Sequence, residues 1–259
     1  MAYWQDRFQA SQRAIANARK KEIDKRIHRY YKNLSRQVIA DYEALYNQVL
    51  LKEAAGEQIS PATLYQMDKY WSMNAQLKKR LTSLGDKLTV LMAKLFEIVY
   101  IDSYEAINIK GLEAFSTVDE AAVKQVLNAV WAADGKSWSQ RIWQNTTLLQ
   151  QMLDEQLIHC VATGKKPTQL KNLLQERFDV SYHRADTLVR TEVAHIQTEA
   201  AKQRYLDYGI REVQFWADPD ERTCPECGKL HRKKFPVGAH VPLPAHPNCR
   251  CCIVPVVDT

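Results

Sequence analysis

Five of the six cysteines in this 259-residue chain lie in its last 36 residues, and their spacing reads as metal chemistry. The pattern is Cys224-Pro-Glu-Cys227, an 18-residue spacer, then His246-Pro-Asn-Cys249, followed by Arg250, Cys251 and Cys252. A pair with two residues between places two donors on one side of an ion, and chain reversal brings a second pair opposite. The spacer falls within the ~15–20 residues usual between such pairs. Cys224, Cys227, His246 and Cys249 are the first-choice ligands. Cys251 is held in reserve, because a single residue after Cys249 leaves its sulfur nearby. Four protein donors close a tetrahedral shell and leave no position for water or substrate, so the expected ion is structural zinc. An exported disulfide protein would spread its cysteines to bridge distant elements, whereas these are crowded together. His231 and His240, inside the spacer, read as loop residues, and Arg232-Lys233-Lys234 reads as a solvated loop.

The elements that must carry these donors are few. Val213-Gln214-Phe215-Trp216 has the pattern of a strand, Asp218-Pro219-Asp220 that of a turn, and the apolar run 253–257 that of a closing strand. Such a module, about 213–257, has too little apolar surface to be stable alone, and a bound metal would supply the missing folding energy.

Everything before it reads as helix. Apolar residues at steps of three and four (Ile23, Ile27, Leu34, Val38, Tyr42, Val49) predict one long helix over 4–54, stopped at Gly56. Ser60-Pro61 restarts it as a cap followed by proline. A helix is expected over 61–84, with Leu64, Met67, Trp71, Leu77 and Leu81 buried and Gly85 closing it. A more apolar one follows over 86–107, with Leu88, Leu91, Leu95, Ile98 and Ile101 inward. Gly111 and 115–117 break the pattern, and Ser116 or Thr117 caps a helix over 118–133. Helices over 137–163, 168–177 and 182–208 complete the series, with Gly164, Pro167 and Gly209 as punctuation. The expected class is α+β, mostly α. Long N-terminal helices (1–135) lead into a helical domain (136–259) that ends in a small β/zinc-knuckle module.

A net charge of +6 and a pI near 8.9 make the chain mildly basic, not a dedicated DNA-coating protein. The excess is uneven: nine Lys/Arg fall between Arg13 and Arg36 against Glu22 and Asp24. Within that run, Arg19, Lys20, Lys21, Lys25, Arg26 and Arg29 are candidates for contact with DNA or an acidic partner, although a solvated helix face is the favoured reading. No apolar run reaches the ~18 residues that cross a bilayer, and the polar start lacks the apolar core of a signal peptide. No membrane partner is expected, and synthesis in a cytoplasm is.

The stretch from Trp138 to Val257 resembles the Mu F-like head morphogenesis family of tailed phages. The matching pieces are Leu188-Val189-Arg190-Thr191-Glu192, the strand with Trp216, the block from Asp220 through Arg222-Thr223-Cys224 to Cys227, and Ala245-His246-Pro247-Asn248-Cys249-Arg250-Cys251. The opening Tyr3-Trp4-Gln5-Asp6-Arg7, ahead of a basic helix, is similar to the N-termini of minor capsid proteins. One departure is that Leu230-His231-Arg232 stands where the family usually has an Asp-Gly turn. The resemblance implies a non-enzymatic minor head protein of the virion. It would be associated with the portal protein, with capsid, scaffold and packaged DNA as further partners, and would act in assembly, packaging or genome delivery. Arg190, Glu192 and Arg222 recur in it. They read as structural support, with Glu192 paired to Arg222 and orienting the metal loop, in preference to a general base. Two rival readings remain. A zinc-containing nuclease or toxin needs a helix after its metal-binding histidine, which His240-Val-Pro-Leu-Pro cannot start. A DNA-binding regulator needs a recognition helix, and none follows the cysteine pairs.

Overall fold

A computed structural model describes residues 2–109, 117–217, 221 and 223–257, with residues 2–8 and 22 described by their backbone. Seven helices and three short strands are found among them, in the order α1 (Ala2–Ala54), α2 (Pro61–Tyr65), α3 (Asp68–Glu105), α4 (Glu120–Asn128), α5 (Trp138–Thr163), α6 (Pro167–Asp207), β1 (Glu212–Trp216), α7 (Pro225–Leu230), β2 (Lys234–Pro236) and β3 (Cys252–Pro255). The mostly helical α+β class is as expected. Among the described residues no helix is long and apolar enough to cross a membrane. The expected break over 111–116 and the turn at 218–220 lie outside the described residues.

The chain divides into two compact units, each built from separated stretches. The first comprises 1–23, 91–138 and 187–259. Its core gathers Tyr205 and Ile210 with Val213, Phe215, Cys227, Val241, Cys249 and Ile253. The three strands form one antiparallel sheet in the order β2-β1-β3, with Val213 facing Phe235 on one side and Pro255 on the other. Tyr205 donates its hydroxyl to the Ile253 carbonyl at 3.3 Å, which ties α6 to the sheet. Arg204 lies over the rings of Tyr104 and Tyr208, 4.8 and 4.6 Å from their centroids.

The second unit comprises 24–90 and 139–186. Its buried faces take up the series read from the sequence, with Ile27, Leu34 and Tyr42 on α1 and Leu77, Leu81 and Leu88 on α3, and add Tyr31, Tyr46 and Leu84. Leu149, Leu153 and Leu157 on α5 and Leu170, Leu174 and Phe178 on α6 complete it. Asn145 donates to the Tyr31 hydroxyl at 3.1 Å and to the Ser181 carbonyl at 2.9 Å, so three helices share one buried polar node.

Four expectations about helix ends are corrected. The helix starting at Pro61 is opened by a Ser60/Thr63 capping box, stops after one turn at Gln66, and restarts at Asp68. That restart resets the period: Tyr70 and Met73 turn inward, and Trp71 is left 58% exposed with its indole N–H on the Tyr65 carbonyl at 2.7 Å. Gly85 does not end a helix. It lies inside α3 because the Trp143 indole is pressed against it, and an added Cβ would sit 2.5 Å from Trp143 Cζ3. The expected gap over 178–181 is also absent. No glycine or proline interrupts it, and burial of Phe178 and Ser181 holds α6 continuous. Finally, α4 is shorter than 118–133 and is capped by Asp119, whose carboxylate accepts the Ala121 N–H at 2.9 Å. Ile98, expected inward on α3, is 41% exposed.

In an open helix, Gly→Ala stabilises by about 1 kcal/mol. Gly85→Ala should instead gain less than that, or lose up to about 1 kcal/mol, because the 37%-exposed Trp143 indole must shift aside, and should become fully stabilising in a Trp143→Ala background. Urea unfolding of the single and double variants measures both, and equal effects in the two backgrounds would show that the indole does not press on Gly85.

Candidate metal centre

Each donor pair sits on its own tight turn. Cys224 caps α7: its sulfur accepts the Cys227 backbone N–H at 3.3 Å, and its carbonyl accepts from Gly228 at 2.9 Å. Pro225, at the first helical position, has φ preset for the turn. The second turn, over 246–249, closes with the Cys249 N–H on the His246 carbonyl at 3.1 Å. Its sharpness requires Asn248 at φ 60°, a left-handed conformation that asparagine tolerates better than most residues. The Asn248 N–H is bound by Thr191 Oγ1 of α6 at 3.2 Å, so the second turn is docked on a helix.

The two turns meet at the Cys227 sulfur, which lies 3.4 Å from His246 Nε2 and 3.9 Å from Cys249 Sγ. An ion with bonds of ~2.3 Å to tetrahedral sulfurs sets them roughly 3.8 Å apart, so these separations are those of ligands on one ion. Cys224, Cys227 and His246 have donor atoms within 4.8 Å of one another, and so do Cys227, Cys249 and Cys251. All four first-choice residues and the reserve are therefore gathered around one sulfur, while Cys252 pairs in β3 and Cys160 is buried in α5. His246 Nδ1 is 2.9 Å from the Pro247 carbonyl. With the ring proton donated there, the Nε2 lone pair faces the cluster, the arrangement of a metal-ligating imidazole.

Electrostatics separates the thiols. Hydrogen bonds from Cys251 pull the Cys249 thiol down to about 5, aided by backbone donors and by nearby His246, against the opposing effect of burial. The Cys227 backbone N–H lowers Cys224. Burial pushes Cys227 up to about 12, reinforced by Cys224 and Cys249. A divalent cation held at the centre of the group would reverse that penalty, since a coordinating thiol is held deprotonated. The cluster can hold a metal ion, and Cys251 lies within ligand distance of both Cys227 and Cys249.

The strands frame the site through a hairpin that the sequence reading missed. Arg232-Lys233-Lys234 is not a free loop. Arg232 donates its N–H to the Phe215 carbonyl at 2.8 Å, and Phe215 donates to Lys233 at 2.9 Å. Arg232 itself takes φ 66°, supplying without glycine the conformation an Asp-Gly turn would give, and its guanidinium lies 5.7 Å from the Trp216 ring centroid. His231 accepts the Ala217 N–H at 3.1 Å, and His240 is exposed with no helix after it.

Behind the second turn, α6 presents a buried support. Glu192 is 1% exposed and accepts the Trp131 indole N–H at 2.8 Å. The Trp131 ring stacks on His195, with centroids 4.5 Å apart and planes 17° from parallel. Arg222, and with it the expected Glu192–Arg222 pair, lies outside the described residues, and Arg190 is exposed. Trp131 and His195 carried no signal in the sequence, because each partner lies on a different element. Residues 151–254, less than half of the chain, match the family described as Phage Mu protein F like protein, so this portion of the chain is similar to that family. No curated protein and no solved structure gives a significant match.

His195 is buried, and neither ring nitrogen has a hydrogen-bond partner. Burial first, then Lys202 and His240, lowers its pKa to about 3. Above pH ~6.5 folded and unfolded chains both hold this imidazole neutral. Below it only the unfolded chain takes up the proton, so stability falls as pH drops from there toward 3. Unfolding free energies measured at several pH values between 7.5 and 5 should therefore decline more steeply in the parent than in His195→Leu, by up to about 1.4 kcal/mol per pH unit. Coincident slopes would show that the folded chain protonates the ring.

Proposed function

We propose that this chain is a non-enzymatic component of a tailed-phage head, located near the portal vertex, whose C-terminal module is held by one structural zinc ion on Cys224, Cys227, His246 and Cys249. The convergence of these donors on the Cys227 sulfur, inside the Mu F-like portion, carries the reading. Four protein ligands leave no coordination position for a substrate, which favours a structural over a catalytic ion. Thiolate and imidazole donors at these separations suit zinc. The sheet they brace has strands of 5, 3 and 4 residues, short enough that metal-binding energy becomes a large part of its stability. The long helices offer extended faces for protein partners, for which the portal is the first candidate and capsid, scaffold and packaged DNA are further ones. The protein acts in head assembly, genome packaging or delivery.

Elemental analysis of purified full-length protein should give one zinc per chain. Cys227→Ser should lose it, with earlier melting, and Cys251→Ser should keep it. Zinc-free parent protein, or full zinc in Cys227→Ser, would refute the site. Co-expressed with the portal protein of the same phage, the chain should co-purify with it, and a strong chelator should weaken that association if the module forms the contact. A chain that elutes separately from assembled portals at micromolar concentration would argue against portal association.

A further inference from the structure

Within the second unit, apart from the cysteine cluster, a pocket of about 450 Å³ opens between α1 and α6. That size lies in the range of ~300–1,000 Å³ typical of small-molecule sites. Its floor is aromatic: Tyr31 and Phe178 are both buried beneath it. Tyr182 forms a wall, edge-on to His28 at 5.5 Å and 82° and to Tyr31 at 6.0 Å and 73°. Its hydroxyl is anchored on Asp24 at 2.6 Å, which fixes the ring.

The rim is cationic. Lys32 and Arg36 line the pocket from α1 and are exposed, and among the described residues neither is ion-paired. The carboxylate on the α6 side, Asp179, accepts the Gln175 amide at 3.0 Å. Lys25 and Arg29, also exposed, precede Lys32 and Arg36 at steps of four, three and four. The four therefore form one stripe on α1, roughly 16 Å long at 1.5 Å per residue. A solvated cationic helix face needs no aromatic recess beneath it. Here charge and rings occur together, the combination that receives a phosphate and a planar base.

We propose that this recess binds a nucleotide, with its phosphate against Lys32 and Arg36 and its base on the aromatic floor beside Tyr182. The nucleotide is either free or part of a single strand, and the Lys25–Arg29 stripe would take the neighbouring phosphates of a strand. The assignment differs from the Arg19–Arg29 run singled out in the sequence, because it requires α6 as the second wall. Arg19, in that run, is paired with Asp102 at 2.9 Å.

Calorimetric titration of the full-length protein in phosphate-free, low-salt buffer tests it, with adenosine monophosphate, inorganic phosphate and a short oligo(dA) as probes. Adenosine monophosphate should bind about tenfold or more tightly than phosphate alone, and the Lys32→Gln/Arg36→Gln variant should weaken it about tenfold or more. Lys78→Gln, on the exposed face of α3, should change nothing, and an unaltered circular dichroism spectrum certifies each fold. Equal affinity for nucleotide and oligomer identifies the free molecule as the source. Tighter, salt-sensitive oligomer binding that is lost with Lys25→Gln/Arg29→Gln identifies a strand. The proposal is overturned if millimolar nucleotide does not bind, if it binds no better than phosphate, if only the oligomer binds, or if the double variant keeps its affinity.

Discussion

A sulfur atom with two turns closing on it sets the organisation of the C-terminal module. Cys227 is buried in the module's core, yet its neighbours at 3.4 and 3.9 Å are an imidazole nitrogen and another sulfur. Polar donors converging in an apolar core are costly unless something compensates them. The local structure looks arranged for that convergence. Cys224 caps its helix through sulfur, Asn248 accepts a left-handed backbone, and the Pro247 carbonyl orients the His246 ring. The sheet is a consequence as much as a cause. Strands this short bury a handful of side chains, and Cys227 and Cys249 belong to the same core as Phe215 and Ile253.

The helix behind the cluster supplies what the module lacks. Thr191 receives the second turn, Glu192 accepts from Trp131, and Trp131 stacks on His195, all within one turn and a half of α6. A buried carboxylate and a buried neutral imidazole both oppose folding unless the packing around them is well determined. They therefore tie the docking surface to a single arrangement. The indole bridging them comes from a segment far away in the chain.

Punctuation residues show where local reading stops. Gly56, Gly135, Gly164 and Gly209 have positive φ and end or turn segments, as glycine's freedom suggests. Gly85 carries the same letter and does the opposite: it keeps a helix intact while leaving room for a tryptophan 58 positions away. Asp68 restarts a helix that periodicity alone runs straight through, and Trp71 is exposed as a result. Phe178 and Ser181 continue α6 because they are buried against other helices, a condition that does not exist until those helices are in place.

The order of residue types was enough for the helical class, for most of the inward positions on the long helices, with Trp71 and Ile98 as exceptions, and for the identity of the metal-capable residues. Each of these rests on chemistry repeated at short intervals: apolar steps of three and four, and donor pairs two residues apart. Tertiary structure alone decided that Cys227 is the meeting point and that Cys251 comes within ligand distance of Cys227 and Cys249. It also decided that the basic spacer is a turn hydrogen-bonded to Phe215 and leading into β2, and that Trp131 and His195 stand behind the site. These depend on side chains tens of residues apart coming within a few ångströms. No local spacing encodes that proximity, because it is the packing of whole elements that creates it.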